Sequence, residues 1–149
     1  MLCKGCYIFN EIKGKTIIFY INRSGVPYFD ISNSVAYVIA YISNDAVNIG
    51  SFYAHEKGTR QGTFILKALC EFIEQRFPEI QKVELDDSTG VNPPKNIYYR
   101  LGFKVRDEKT HRFINWDTWL ERYKHLSNPS EERRIPLRLL LKNLESFLE

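Results

Sequence analysis

The chain has 149 residues, 44% hydrophobic and 26% charged, enough for one compact domain with a sizeable core. Its net charge of +3 is too mild to argue for nucleic-acid binding by itself. No apolar run reaches the roughly 18 residues of a membrane span, so no membrane association is expected.

The opening MLCKGCYIFNEIKG has no long apolar stretch and no small-residue cleavage site, so it reads as a first strand and not a signal peptide. Three cysteines are an odd count. Cys3 and Cys6 form a lone C-x-x-C, and His55, His111 and His125 are scattered. A structural zinc site needs about four ligands. The pair is therefore expected to be non-metallic, no metal is expected, and a reducing cytoplasm is the expected setting.

CYIFNEI and KTIIFYINR read as strands joined by a hairpin turn at Lys13-Gly14. SGVPYFDISNS is a loop. VAYVIAYI, residues 35–42, is continuously apolar and predicts a strand buried on both faces. A turn at Ser43-Asn44-Asp45 leads to the strand AVNIGSFYA. The period then changes. Ile65, Leu66, Leu69, Phe72 and Ile73 recur at helical spacing, predicting a helix from Gly62 to about Arg76 that stops before Pro78. Cys70 falls inside that pattern and reads as core.

KVELDD is a short strand and STGVNPP a loop. Pro93-Pro94 can open a short helix, KNIYYRL, that ends at Gly102. FKV and HRFINW read as strands, and Asp117 as the N-cap of TWLERYKHL. After a polar linker, SNPSEERR, the stripe Leu137, Leu140, Leu141, Leu144 and Leu148 predicts an amphipathic helix. It is expected to pack on its own domain, or to offer a homodimer surface. The element order indicates an α+β or mixed α/β fold, mostly antiparallel with one βαβ crossover.

Lys57 to Thr63, KGTRQGT, is the most suggestive segment. It lies between a strand and a helix, where about four backbone N–H groups lack partners and the dipole places positive charge. Gly58 and Gly62 permit close approach, Thr59 and Thr63 offer hydroxyls, and Lys57 and Arg60 add charge. Such a turn suits a pyrophosphate. It is neither a Walker A loop nor a G-x-G-x-x-G fingerprint.

A second motif, NIYYRLGF (Asn96 to Phe103), lies about 35 residues downstream, after one more strand. The pair resembles the GNAT superfamily of acetyl-CoA-dependent N-acetyltransferases. There a [Q/R]-x-x-G-x-[G/A] turn precedes a long helix and an L-Y-x-K-L-G-F segment follows. Ile97 to Phe103 is similar to the second pattern, and Ile49 to His55 resembles the family's fourth strand. The resemblance implies an α+β GNAT-like fold, a mixed and mostly antiparallel twisted sheet flanked by helices. It divides the chain into an acetyltransferase domain at 1–126 and a linker with C-terminal helix at 127–149. The departures are local. Lys57 takes the leading Arg/Gln position, Arg60 stands where glycine is common, Val91 stands where an Asn is usual with Asn92 one place off, and Pro94 replaces a usual Ala.

The resemblance further implies acetyl-CoA as co-substrate and a small-molecule or protein amine as acceptor. Backbone groups near Phe52 and Ala54 would pair with the pantetheine arm. Lys57, Gly58, Thr59, Arg60, Gln61, Gly62 and Thr63 would hold the pyrophosphate, with Asn92 nearby. Tyr98 matches the general-acid tyrosine. Candidate bases are His55 at the end of the fourth strand and Glu84 on the fifth, with Asp86 on the same face and Asp87 following. No acyl-enzyme is needed. A catalytically silent, CoA-binding or regulatory module is the alternative, motivated by Arg60 and by a strand-to-helix turn about two residues shorter than the family's usual one. Basic residues at 104–112 and 133–134 are interleaved with acids, which argues against nucleic acid.

Overall fold

The computed structural model describes residues 2–23, 26–55, 59–124, 126 and 129–149. Its elements are β1 (Cys6–Lys13), β2 (Thr16–Arg23), β3 (Ala36–Ser43), β4 (Ala46–Ala54), α1 (Gln61–Arg76), β5 (Lys82–Asp86), α2 (Ile97–Arg100), β6 (Lys104–Arg106), β7 (Phe113–Ile114), α3 (Trp116–Arg122), β8 (Glu132–Pro136) and α4 (Leu137–Leu148). One eight-stranded sheet runs β1-β2-β3-β4-β5-β8-β6-β7. Among the described residues only β4 and β5 pair in parallel, through the α1 crossover.

Alternation decides what each strand buries. Ile17, Phe19 and Ile21 of β2, Val38 and Ala40 of β3, Val47 and Ile49 of β4, and Val83 and Leu85 of β5 face α1. From α1, Ile65, Leu66, Leu69 and Ile73 close that layer, with Cys70 buried among them. The other face is thinly covered. β3 is buried at Ala36, Tyr37 and Val38, but Ile39 is half-buried and Tyr41 exposed. The expectation of a strand buried on both faces therefore fails in its second half, because no helix lies over it.

Three local readings are corrected. Pro93-Pro94 sits in a turn, and α2 opens later, at Ile97 after Asn96. Asp117 lies in the first turn of α3, whose N-cap is Asn115. The expected polar linker carries β8, which pairs with both β5 and β6. Its charges misled because Glu132 and Arg134 point away from the core, while Arg133 and Ile135 are buried.

α4 follows β8 directly and packs beside α1, burying Leu137, Leu140, Leu141 and Leu144. Four of the five stripe leucines thus enter the chain's own core, and Leu148 stays half-buried. At the N-terminus, the sulfurs of Cys3 and Cys6 are joined in a disulfide, in contrast to the reduced pair expected for a cytoplasmic protein. Among the described residues no helix is long and apolar enough to cross a membrane.

Candidate active site

β4 and β5 are in register only from Ala46–Lys82 to Ile49–Leu85. Beyond that point they part. The cause is a bulge: Ile39 pairs with Ser51 and Ala40 with Ile49, leaving Gly50 unopposed. A bulge bends its strand and increases its twist. Glycine leaves room there for the Tyr41 ring, which a Cβ at position 50 would meet at 2.5 Å and push aside. Residues 51–54 stay paired to β3 but have no strand partner on the β5 side. The resulting cleft, about 260 Å³, is lined by Tyr37, Ser51, Tyr53, Asp86, Thr89 and Tyr98, with Phe52 on its wall.

Behind the cleft α1 begins. No side chain caps it, and its first turn carries no acidic residue. Gly62 lies against β4: a Cβ there would meet the Ala54 Cβ at 3.3 Å and the Phe52 ring at 3.5 Å. The helix mouth is thus pressed against the splayed strand because position 62 has no side chain. Arg60 precedes it at φ 62°, in the left-handed region that glycine fills more readily. Its guanidinium donates to the Phe147 carbonyl (3.2 Å) and lies over that ring, 5.8 Å from the centroid. Arg100 approaches the same ring at 4.8 Å. Two cations therefore flank Phe147 near the mouth of α1.

The remaining turn residues divide by role. Thr59 is exposed. The Thr63 hydroxyl donates to the Arg60 carbonyl at 3.0 Å, so it closes the turn and does not offer its hydrogen to a ligand. Gln61 is buried. Its side chain accepts from the Cys3 amide (3.1 Å) and donates to the Thr59 carbonyl (3.2 Å), tying the N-terminus to the turn. What positions 61 and 63 can present to an anion is main-chain N–H. Lys57 and Gly58 lie outside the described residues. Asn92 is exposed, accepts from the Lys95 amide, and does not line the cleft.

Tyr98 sits on the single turn of α2, held by a buried relay. Asn96 accepts from the amides of Tyr98 (2.8 Å) and Tyr99 (3.1 Å). Its own amide donates to Asp87 Oδ2 (2.7 Å) and the Val91 carbonyl (2.8 Å). Asp87 also accepts from Thr89 and lies 3.6 Å from the Arg133 guanidinium, which stacks on Trp116. From the far side, Asn143 of α4 donates to the Leu101 carbonyl at 2.8 Å. The Tyr98 ring packs edge-on to Phe103 and near Phe52. Burial and the nearby Asp87 carboxylate push its phenol up to about 12, opposed by Arg133. It is a hydroxyl that stays protonated. Asn96→Ala removes the cap of this turn. It is expected to lower stability by about 1–2 kcal/mol in urea melts, the cost of a lost N-cap.

The two candidate bases are not in the cleft wall. Glu84 is engaged by Arg134 on the outer sheet face, with contacts of 3.0 and 3.3 Å. His55 Nε2 faces the Ile31 carbonyl at 3.2 Å, and its ring abuts Tyr53 edge-on at 4.8 Å. Asp86, two residues beyond Glu84, does line the cleft. Asn96 was missed by sequence reasoning. The legible signal was an Asn just before a short aromatic helix, which is an N-cap pattern. The Phe147 contacts had no sequence signal, since 87 residues separate them from Arg60. Among the described residues no group of His, Cys, Asp and Glu could hold a metal.

No protein-family model matches the sequence, and no curated protein matches it either. Solved structures do match in three dimensions. Nourseothricin acetyltransferase aligns with a TM-score of 0.54 at 12% identity, over 89% of this chain and 88% of that one. A GNAT-family acetyltransferase from Staphylococcus aureus gives 0.53 at 10%, over 82% and 68%. The ribosomal-protein-S18-alanine N-acetyltransferase of Escherichia coli gives 0.51 at 13%, over 85% and 72%. At such identities the likeness is one of fold. The splayed β4–β5 pair, the α1 crossover and these alignments together establish that this chain has the fold of the GNAT acetyltransferases.

Proposed function

We propose that this protein is an N-acetyltransferase that moves the acetyl group of acetyl-CoA directly onto a primary amine. The observation that carries this reading is the coincidence of three features in one gap. They are a strand edge without a partner at 51–54, an uncapped helix mouth pressed against it at Gly62, and a protonated phenol, Tyr98, in the cleft wall.

The residues fit the coenzyme chemically. The free edge of β4 can pair with the amides of the pantetheine arm as an added strand would. The first N–H groups of α1, with Arg60 and Arg100 close by, suit a diphosphate. Acetyl-CoA supplies an activated acyl group as its thioester. The acceptor sheds a proton, its nitrogen attacks the carbonyl carbon, the C–S bond breaks, and the sulfur leaves with a proton. Tyr98 donates its hydrogen to that sulfur as charge develops. Full transfer from a phenol near 12 to a thiolate whose thiol titrates near ~8.5 runs uphill. Hydrogen-bond donation is therefore what the phenol contributes, and solvent completes the protonation. With His55 and Glu84 outside the cleft wall, the amine's proton leaves through the open mouth to water.

Calorimetry with acetyl-CoA tests the reading. The wild-type protein is expected to bind, and Gly62→Val to lose at least about tenfold in affinity. Its branched side chain would enter the space now closed at 3.3 Å by Ala54 and push α1 off β4. No heat for the wild type, or equal affinity in the variant, contradicts it.

A further inference from the structure

The helices all lie on one side of the sheet. α1, α2 and α4 share the main core, and α3 packs on Val105, which alternates to the same side as Arg133 and Ile135. The opposite face carries Ile18, Ile39, Tyr41, Asn48 and Tyr53, none of them fully buried. Among the described residues, only those at 26–34 fold over it. Asn22 donates to the Val26 and Tyr28 carbonyls, both at 2.7 Å, and Phe29 wedges against Tyr20 and Tyr37.

The mouth of the cleft opens beside that segment. Its aromatic wall is Tyr37 and Tyr53, 6.0 Å apart. Among the described residues its charge is a single carboxylate. Glu84 is neutralised by Arg134, and Asp87 is turned inward to Asn96, Thr89 and Arg133. Asp86 is left exposed, with no ion pair among the described residues. Among the described residues no Lys or Arg lines the cleft. A carboxylate beside tyrosine faces attracts an ammonium by charge and by cation–π interaction. A cleft of about 260 Å³ is at the small end for enclosing a whole drug-sized ligand, yet wide enough for a flexible arm.

Resting on the acetyltransferase reading above, we infer that the acceptor is a primary ammonium carried on an alkyl chain, entering from the helix-free face between Tyr53 and Asp86. Asp86 and the two tyrosines hold the cation, and its methylene chain lies along the aromatic wall. A free alkyl diamine and a lysine side chain on a peptide share this chemistry.

Thiol release at saturating acetyl-CoA tests it with three acceptors: 1,5-diaminopentane, an N-terminally blocked lysyl peptide and uncharged aniline. Turnover is expected with one or both alkyl amines and at least tenfold less with aniline. The better alkyl acceptor identifies the source. Asp86→Asn is expected to raise the amine KM about tenfold and Asp86→Lys further, with acetyl-CoA affinity unchanged. Asp86 is exposed, so neither change disturbs the core. Aniline matching the alkyl amines, no alkyl turnover despite acetyl-CoA binding, or an unchanged amine KM in both variants would overturn the inference. Failure of the wild type to bind acetyl-CoA would instead refute the reading beneath it.

Discussion

Replacing Tyr98 with Phe is expected to lower kcat about a hundredfold, the lower end of what a positioned proton donor contributes. The low end applies because a thiolate leaves readily and a phenol near 12 is a weak acid. KM for acetyl-CoA should change little. The variant keeps the ring, and the contacts with Phe103 and Phe52 are ring contacts, so fold and packing remain. Steady-state thiol release gives both constants.

The pH dependence has a definite sign. The wild-type rate should climb with pH as an alkyl amine loses its proton, near ~10.4 for lysine. Tyr98 should add no falling limb below about 12, because burial and Asp87 hold its proton. The variant should show the same rise at lower height. Stability follows from the same shift. The folded phenol lies above the ordinary 10.0, so its contribution is complete below pH 10 and drains away as pH approaches 12. Wild type should therefore lose stability over that window faster than Tyr98→Phe. Equal turnover in the two proteins would remove Tyr98 from the mechanism.

Leu144→Ala should strongly destabilise the fold. Leu144 is fully buried in the core that α4 shares with α1. Truncating such a leucine typically costs about 2–5 kcal/mol, transfer plus cavity. That is a large part of the roughly 5–15 kcal/mol holding a domain together. Melting should drop by roughly 5–15 °C for a chain of this length. Activity should fall as well, even at temperatures where the variant is folded. Asn143 of the same helix holds the Leu101 carbonyl beside Tyr98's turn, and Phe147 bears on Arg60 and Arg100. A melting point within about 2 °C of wild type would show α4 to be an accessory to the domain.

Much of the architecture could be read along the chain because periodicity is local. The β-branched and aromatic run in KTIIFYINR declares a strand, while the switch to helical spacing at Ile65 and the leucine stripe from Leu137 each declare a helix and the face it buries. NIYYRLGF, with the glycine turn before α1, was enough to suggest both the fold and Tyr98. What local pattern cannot supply is which surfaces meet. SNPSEERR reads as a polar linker until β5 and β6 arrive on either side of its end and select Arg133, with Ile135 after it, for burial. Glu84 and Asp86 look alike in sequence. Register with β8 gives Arg134 to one and leaves the other facing the cleft. The cleft itself follows from one unopposed glycine in the β3–β4 pairing. The sequence by itself determined the elements and their apolar faces, since these depend on neighbours a few residues apart. Tertiary structure alone decided which charges are paired, which carboxylate remains, and where the sheet opens, because those depend on partners tens of residues distant.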